Sequence, residues 1–133
     1  MVIDTSAVLA ILLDEPELTA FTVLITQENE VRLSAASYVE AAMVLEMRNR
    51  IRPKAMLDDF VEKYEIRIEP VTVEQAMFAI DAFRKYGKGI HKARLNYGDC
   101  FTYALVKAMR EPLLFKGNDF SQTDLVPAVR PLQ

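Results

Sequence analysis

The sequence has one cysteine, Cys100, one histidine, His91, and no tryptophan among its 133 residues. A lone cysteine excludes an intramolecular disulfide and any CxxC zinc site, and it fits a reducing, cytoplasmic setting. A lone histidine excludes a multi-histidine metal site, and a Ser-His-Asp triad would rest on His91 alone. A metal centre here must therefore use oxygen ligands, which favours magnesium or manganese over zinc. No apolar run approaches the roughly 20 residues of a membrane-spanning helix. Met1-Val2-Ile3-Asp4 lacks the basic region and long apolar core of a signal peptide, so neither a leader nor membrane association is expected. The net charge of -3 gives no overall attraction for a polyanion and leaves such a role to local basic patches.

What is present is the mix of a globular protein, 51% hydrophobic and 26% charged. The length fits one domain over residues 1–133, large enough to bury about two-thirds of its unfolded surface. Short apolar runs alternate with helical patterns. Val2-Ile3, Val31-Arg32-Leu33, Ile66-Arg67-Ile68 and Leu113-Leu114-Phe115 read as strands, with Val129 in a last short one. Helices are expected over 7–13, from Pro16 in the first turn of the next, over 36–51 behind a cap at Ser34 or Ser37, from Pro53, over about 76–86, and over 99–109. A loop is expected over 88–97 and a turn at Gly117-Asn118-Asp119. This alternation predicts an α/β fold with a central, mostly parallel sheet flanked by helices on both faces. Ligands of such folds bind beyond the carboxyl ends of the strands. Asp4 and Asp119 both follow predicted strands.

Each acid has an ordinary structural role open to it. Asp4, Asp99 and Asp119 suit caps and turns, and Asn96 is a second candidate cap near Asp99. Glu40 is harder to place, because its helical neighbours Ala36, Met43, Val44 and Met47 are apolar and the segment reads as mostly buried. A carboxylate there needs a partner. If the strand ends and helix starts converge, Asp4, Glu40, Asp99 and Asp119 come within a few ångströms of one another. Two such charges 4 Å apart repel by about 4 kcal/mol at an effective dielectric near 20. Some must then take up protons, or a divalent cation must neutralise them. Magnesium held by carboxylates activates water and stabilises charge on phosphate, which is the chemistry of phosphodiester hydrolysis. Thr5 and Ser6 follow Asp4 and are placed either to cap the helix or to orient a ligand.

Four segments carry a resemblance. Met1-Val2-Ile3-Asp4-Thr5-Ser6-Ala7, Glu40 in its apolar helix, Leu95-Asn96-Tyr97-Gly98-Asp99-Cys100, and Leu114-Phe115-Lys116-Gly117-Asn118-Asp119-Phe120 together resemble a PIN domain. More narrowly, they resemble the VapC toxins of bacterial type II toxin–antitoxin systems, in order and spacing along the whole chain. The resemblance implies a magnesium-dependent ribonuclease, manganese being a plausible substitute. It maps three regular acids onto Asp4, Glu40 and Asp99 and a more variable fourth onto Asp119, with Asp124 as the competing choice. It makes Asp4 and Asp99 the minimal metal pair. It also implies a cognate VapB-like antitoxin and a homodimer; the apolar faces of the helices over 16–27 and 53–64 are open to two readings, the antitoxin groove or ordinary core.

An acidic centre needs cations around it to hold RNA. Lys88, His91, Lys92 and Arg94, with Arg84 and Lys85, precede the Asp99 segment and read as a phosphate-contacting rim. Arg48, Arg50, Arg52 and Lys54 form a second basic cluster, and Tyr86 and Tyr97 are candidates for stacking on bases. Rival readings fit less well. A response-regulator receiver needs paired acids after the first strand, where this chain has Asp4-Thr5-Ser6. A haloacid dehalogenase phosphatase needs Asp-x-Asp, and Ser6 fills the second place. A non-catalytic RNA-binding module leaves Glu40 unexplained. A DNA nuclease of related fold remains as the alternative on metal chemistry alone, although such relatives carry an added helical arch.

Overall fold

The computed structural model describes residues 1–48 and 51–129. Four strands form one parallel sheet: β1 (Val2–Ile3), β2 (Arg32–Ser34), β3 (Arg67–Glu69) and β4 (Leu113–Leu114), in the order β3-β2-β1-β4. Six helices connect them: α1 (Thr5–Leu12), α2 (Leu18–Gln27), α3 (Ala35–Met47), α4 (Pro53–Lys63), α5 (Val73–Tyr86) and α6 (Tyr97–Met109). The order reverses at β1, which pairs with β2 on one side and β4 on the other. A crevice opens beyond the carboxyl ends of strands at such a switch point. Asp4 is the residue that follows β1.

Both faces of the sheet are covered, as alternation along the strands shows. Ile3, Leu33 and Leu114 belong to a core shared with Val8, Ile11, Phe21, Ile25, Leu45, Leu57 and Phe60 of α1 to α4. Val2 and Leu113 belong to a second core with Ala82, Leu95, Tyr103, Leu105 and Val106 around α5 and α6. The inner faces of α2 and α4, open in the sequence to either a partner groove or ordinary core, contribute Phe21, Ile25, Leu57 and Phe60 to the first core.

Several boundaries move. Pro16 precedes α2 rather than opening it, and Pro53 does open α4. Ser34, not Ser37, caps α3, accepting a hydrogen bond from the Ala36 amide. The helix expected to reach Ile51 closes at Met47, and Arg50 of the second basic cluster lies outside the described residues. β3 shifts by one residue, so that Ile66 is buried while Ile68 is exposed on an edge strand. The last strand is reduced to a single bridge between Leu113 and Pro127, and Val129 lies beyond it.

α3 differs most from expectation. It buries only Ser37, Ala41 and Leu45, while Val39, Met43 and Met47 stand exposed. The apolar stripe beside Glu40 is therefore surface, not core. It continues across Tyr97 and Phe101 of α6 to Ile80 and Phe83 of α5, as two apolar grooves of about 630 and 550 Å³.

Candidate active site

Asp4 is the N-cap of α1 and is only 5% exposed. Its Oδ2 accepts from the Ser6 amide at 3.0 Å and from the Ser6 hydroxyl at 2.7 Å. Its Oδ1 accepts from the Thr102 hydroxyl at 2.6 Å. Three such donors compensate a carboxylate for the water it loses on burial. Ser6 in turn accepts from the backbone amide of Lys116 at 3.0 Å, which ties Asp4 to the segment leading to Asp119. Thr5 faces the other way, its hydroxyl donating to the Ser37 carbonyl at 3.3 Å.

Asp99 sits in the first turn of α6. Asn96 caps this helix, accepting from the Asp99 amide at 2.9 Å, and Asp99 Oδ2 accepts from the Asn96 amide at 3.0 Å. This is a capping box closed by Asp in place of the usual Glu or Gln, so the capping role anticipated for these two residues is real. It occupies one oxygen and leaves Oδ1 unengaged. Burial pushes the Asp99 carboxyl up to about 7; the Asn96 amide opposes this, and the charges of Asp4, Asp119 and Glu40 add to it. All three other candidate acids therefore bear on Asp99.

Glu40 reaches the same place from α3. Its carboxylate lies against the backbone of Gly98, so closely that a Cβ there would collide with Oε2. Only glycine allows this approach. Asp119 follows the Gly117 turn, where φ is +102°, and leads into a 3-10 turn over Phe120–Gln122. Asp124, the competing fourth acid, is engaged elsewhere. It accepts from the Tyr103 hydroxyl at 2.7 Å and from Lys107 at 2.5 Å. Burial works to raise it, but these two donors outweigh that and hold it below the usual carboxylate range.

Among the described residues, no three His, Cys, Asp or Glu side chains have the spacing of a closed metal cage. The donor set nevertheless fits a hard divalent cation. It is all oxygen, Asp99 is held half-buried against its own charge, and Asp4 and Asp99 each keep an oxygen with free acceptor capacity.

The basic rim folds as a tight loop. Lys88 donates its amide to the Leu95 carbonyl, and Leu95 returns one to Tyr86. Lys88, Lys92 and Arg94 are exposed around a shallow depression of about 520 Å³. His91 is half-buried, edge-on to Tyr86, and its Nδ1 accepts from the Ala93 amide at 3.0 Å. Tyr97 is 81% exposed beside the Glu40 groove, whereas Tyr86 packs against Tyr103. Two site residues escaped the sequence reading, Ser37 and Thr102. They are 3% and 1% exposed and hydrogen-bonded to each other at 3.1 Å. The available signal was their spacing: each lies three residues from an acid, Glu40 or Asp99, on the same helical face.

With this geometry in place, likeness to known proteins decides the family. The PIN domain family matches residues 1–126. The chain belongs to it. Among curated relatives, Ribonuclease VapC30 of Mycobacterium tuberculosis is 44% identical over 131 residues, covering 98% of this chain and 100% of that protein. Ribonuclease VapC28 of the same species is 44% identical over 130 residues, covering 97% and 98%. Ribonuclease VapC of Mycolicibacterium smegmatis is 45% identical over 125 residues, covering 94% and 97%. The crystal structure of M. tuberculosis VapC20, described as a sarcin-ricin loop cleaving toxin, superposes with a TM-score of 0.77 over 98% of both chains at 20% identity, a likeness of fold. The PIN fold thus accounts for the parallel sheet, the six helices and the crevice beyond β1 and β4. Among the described residues no helix is long and apolar enough to cross a membrane.

Proposed function

We propose that this PIN-domain chain is a VapC-type toxin, an endoribonuclease that hydrolyses RNA phosphodiester bonds at Asp4, Glu40, Asp99 and Asp119. The observation that carries the reading is the convergence of the Asp4, Glu40 and Asp119 charges on a half-buried Asp99. The curated relatives are named ribonucleases over nearly their full length.

Asp4 and Asp99 would hold magnesium, or manganese in its place, and Glu40 and Asp119 would complete the site directly or through water. The bound ion would supply an activated water and a counter-charge for the phosphate. The chain's own groups prepare this. Ser6 and Thr102 orient Asp4, the Asn96 amide orients Asp99, and Gly98 admits Glu40 to the cluster. Burial and the neighbouring acids push the Asp99 carboxyl up to about 7, and a cation held there would favour its ionised form. Lys88, His91, Lys92 and Arg94 draw the RNA backbone toward an otherwise acidic centre.

The protein acts in the cytoplasm under control of a cognate VapB-like antitoxin. It forms a homodimer through the apolar face of α3, α5 and α6, where Val39, Met43, Met47, Met77 and Ile80 are all about half exposed or more. Exposed apolar side chains grouped on one face in this way mark a protein interaction site.

Incubating total bacterial RNA with the purified protein tests the activity. Discrete fragments are expected with magnesium, and none with EDTA or with Asp4→Asn. Cutting of DNA in place of RNA, or cutting that survives both controls, would overturn the proposal.

A further inference from the structure

The buried polar side chains around Asp4 form an ordered relay. An ionised carboxylate only accepts, with about two acceptor positions on each oxygen. On Oδ2 both are filled, by the amide and the hydroxyl of Ser6. On Oδ1 one is filled, by Thr102. One acceptor position on Oδ1 is what Asp4 has left.

Thr102 has a single hydroxyl proton, and it goes to Asp4. The contact between Ser37 Oγ and Thr102 Oγ1 at 3.1 Å must therefore run from Ser37 to Thr102. Both side chains are sealed from solvent, so no water competes for either proton. The relay joins three elements of the site. Ser37 is on α3 one turn before Glu40, Thr102 is on α6 one turn after Asp99, and Asp4 follows β1. Ser37 does not cap its helix, that task falling to Ser34, and Thr102 lies within α6.

We propose that Asp4 presents one oxygen, Oδ1, to the divalent cation, and that Thr102, backed by Ser37, is the positioning residue that sets the direction of that oxygen. The proposal rests on the metal-centre reading above. It differs from a merely structural hydroxyl in its consequence. Without the Thr102 donor the Asp4 carboxylate is anchored at Oδ2 alone, by Ser6, and Oδ1 loses the one contact that fixes its direction toward the cation, with the fold intact. Groups that orient metal ligands in this way typically contribute tenfold or more to metal affinity.

The experiment is calorimetric titration of Mn²⁺ into the full chain without RNA, for wild type, Thr102→Val, Thr102→Ser and Ser37→Ala, with circular dichroism recorded on each. Thr102→Val keeps the shape and removes the donor, and it should weaken Mn²⁺ binding about tenfold. Thr102→Ser restores the donor and should stay within about twofold of wild type, while Ser37→Ala should weaken binding about threefold. Wild-type affinity in both Thr102→Val and Ser37→Ala overturns the positioning role while leaving the metal centre standing. No Mn²⁺ binding by wild type removes the metal centre and this inference with it. Should Thr102→Val fail to fold, Ser37→Ala decides: unchanged affinity refutes the relay, and a threefold loss supports it.

Discussion

Replacing Asp99 with asparagine separates charge from shape at the centre of the cluster. The amide oxygen of the new side chain can still accept from the Asn96 backbone, so the capping box survives. What disappears is a carboxylate held at about 7 against an ordinary value near 3.8. Below that ordinary value Asp99 is protonated in both the folded and unfolded states and exerts no pH effect. Between the two values the folded chain keeps a proton that the unfolded chain has lost, so stability falls as pH rises. Above about 7 the loss is complete. The shift converts to an upper bound of about 4 kcal/mol at 1.36 kcal/mol per unit. Asp99 is only half-buried, and solvent screening reduces this to about 1–2 kcal/mol.

In metal-free buffer, Asp99→Asn should therefore be more stable than wild type by about 1–2 kcal/mol near pH 8, or about 5 °C in melting temperature. Near pH 4 the two should melt together. Magnesium should narrow or reverse the difference, since a ligand at about ten times its dissociation constant stabilises wild type by about 1.4 kcal/mol and the variant by less. Thermal melts across this pH range, with EDTA and with magnesium, measure all three effects. A variant less stable than wild type near pH 8 in EDTA would refute the reasoning, because Asp99 would then be a net structural asset rather than a repelled charge.

Gly98→Ala should abolish most RNA cleavage while moving the melting temperature little, because the atom in the way is the flexible end of Glu40; full activity in a cleavage assay would remove Glu40 from the site. Asp119→Asn should lose activity and keep its stability. Asp124→Asn should keep activity and lose about 1 kcal/mol from its bonds to Tyr103 and Lys107, as read by urea unfolding. Substituting Lys88, Lys92 and Arg94 together with alanine should weaken RNA binding and flatten its salt dependence by about three charges, with an unchanged slope placing the RNA elsewhere. Met43→Glu on the exposed face of α3 should shift sedimentation toward the monomer, and an unchanged dimer would move the interface off that face.

The parts of this fold that were legible in the sequence are those in which composition and geometry agree. Helices α1, α2, α4, α5 and α6 follow their apolar spacing, and β1 and β4 follow short apolar runs ending at polar turns. What misled was the stripe on α3. Ala36, Met43, Val44 and Met47 share a face with Glu40, and periodicity does not tell a face turned to the core from a face turned to water. α3 instead packs inward through the small residues Ser37 and Ala41 and through Leu45, which carry a weaker hydrophobic signal. The same limit left α2 and α4 open to groove or core, and Phe21, Ile25, Leu57 and Phe60 are core. Acids are rare enough inside a domain to stand out, whereas buried serines and threonines are common. Ser37 and Thr102 become visible only once the strands bring α3 and α6 together over Asp4.

That juxtaposition explains why the structural and chemical readings of these acids do not compete. Asp4 caps α1 with one oxygen and Asp99 closes a capping box with one oxygen. In each case the cap uses one oxygen of the carboxylate and leaves acceptor capacity on the other, which on Asp4 is shared with Thr102. A helix N-terminus also favours negative charge, which offsets part of the repulsion that the cluster imposes on its members. Asp99 carries a large unrelieved share: burial disfavours its charge, and one backbone amide is the donor opposing three neighbouring acids. Asp4 is deeper in the fold but has three donors turned toward it. The two acids best placed to share a cation thus receive unequal support from the fold. Asp99, with the fewer donors, is the one for which a cation would relieve most, and its protonation is the one that cation binding should displace.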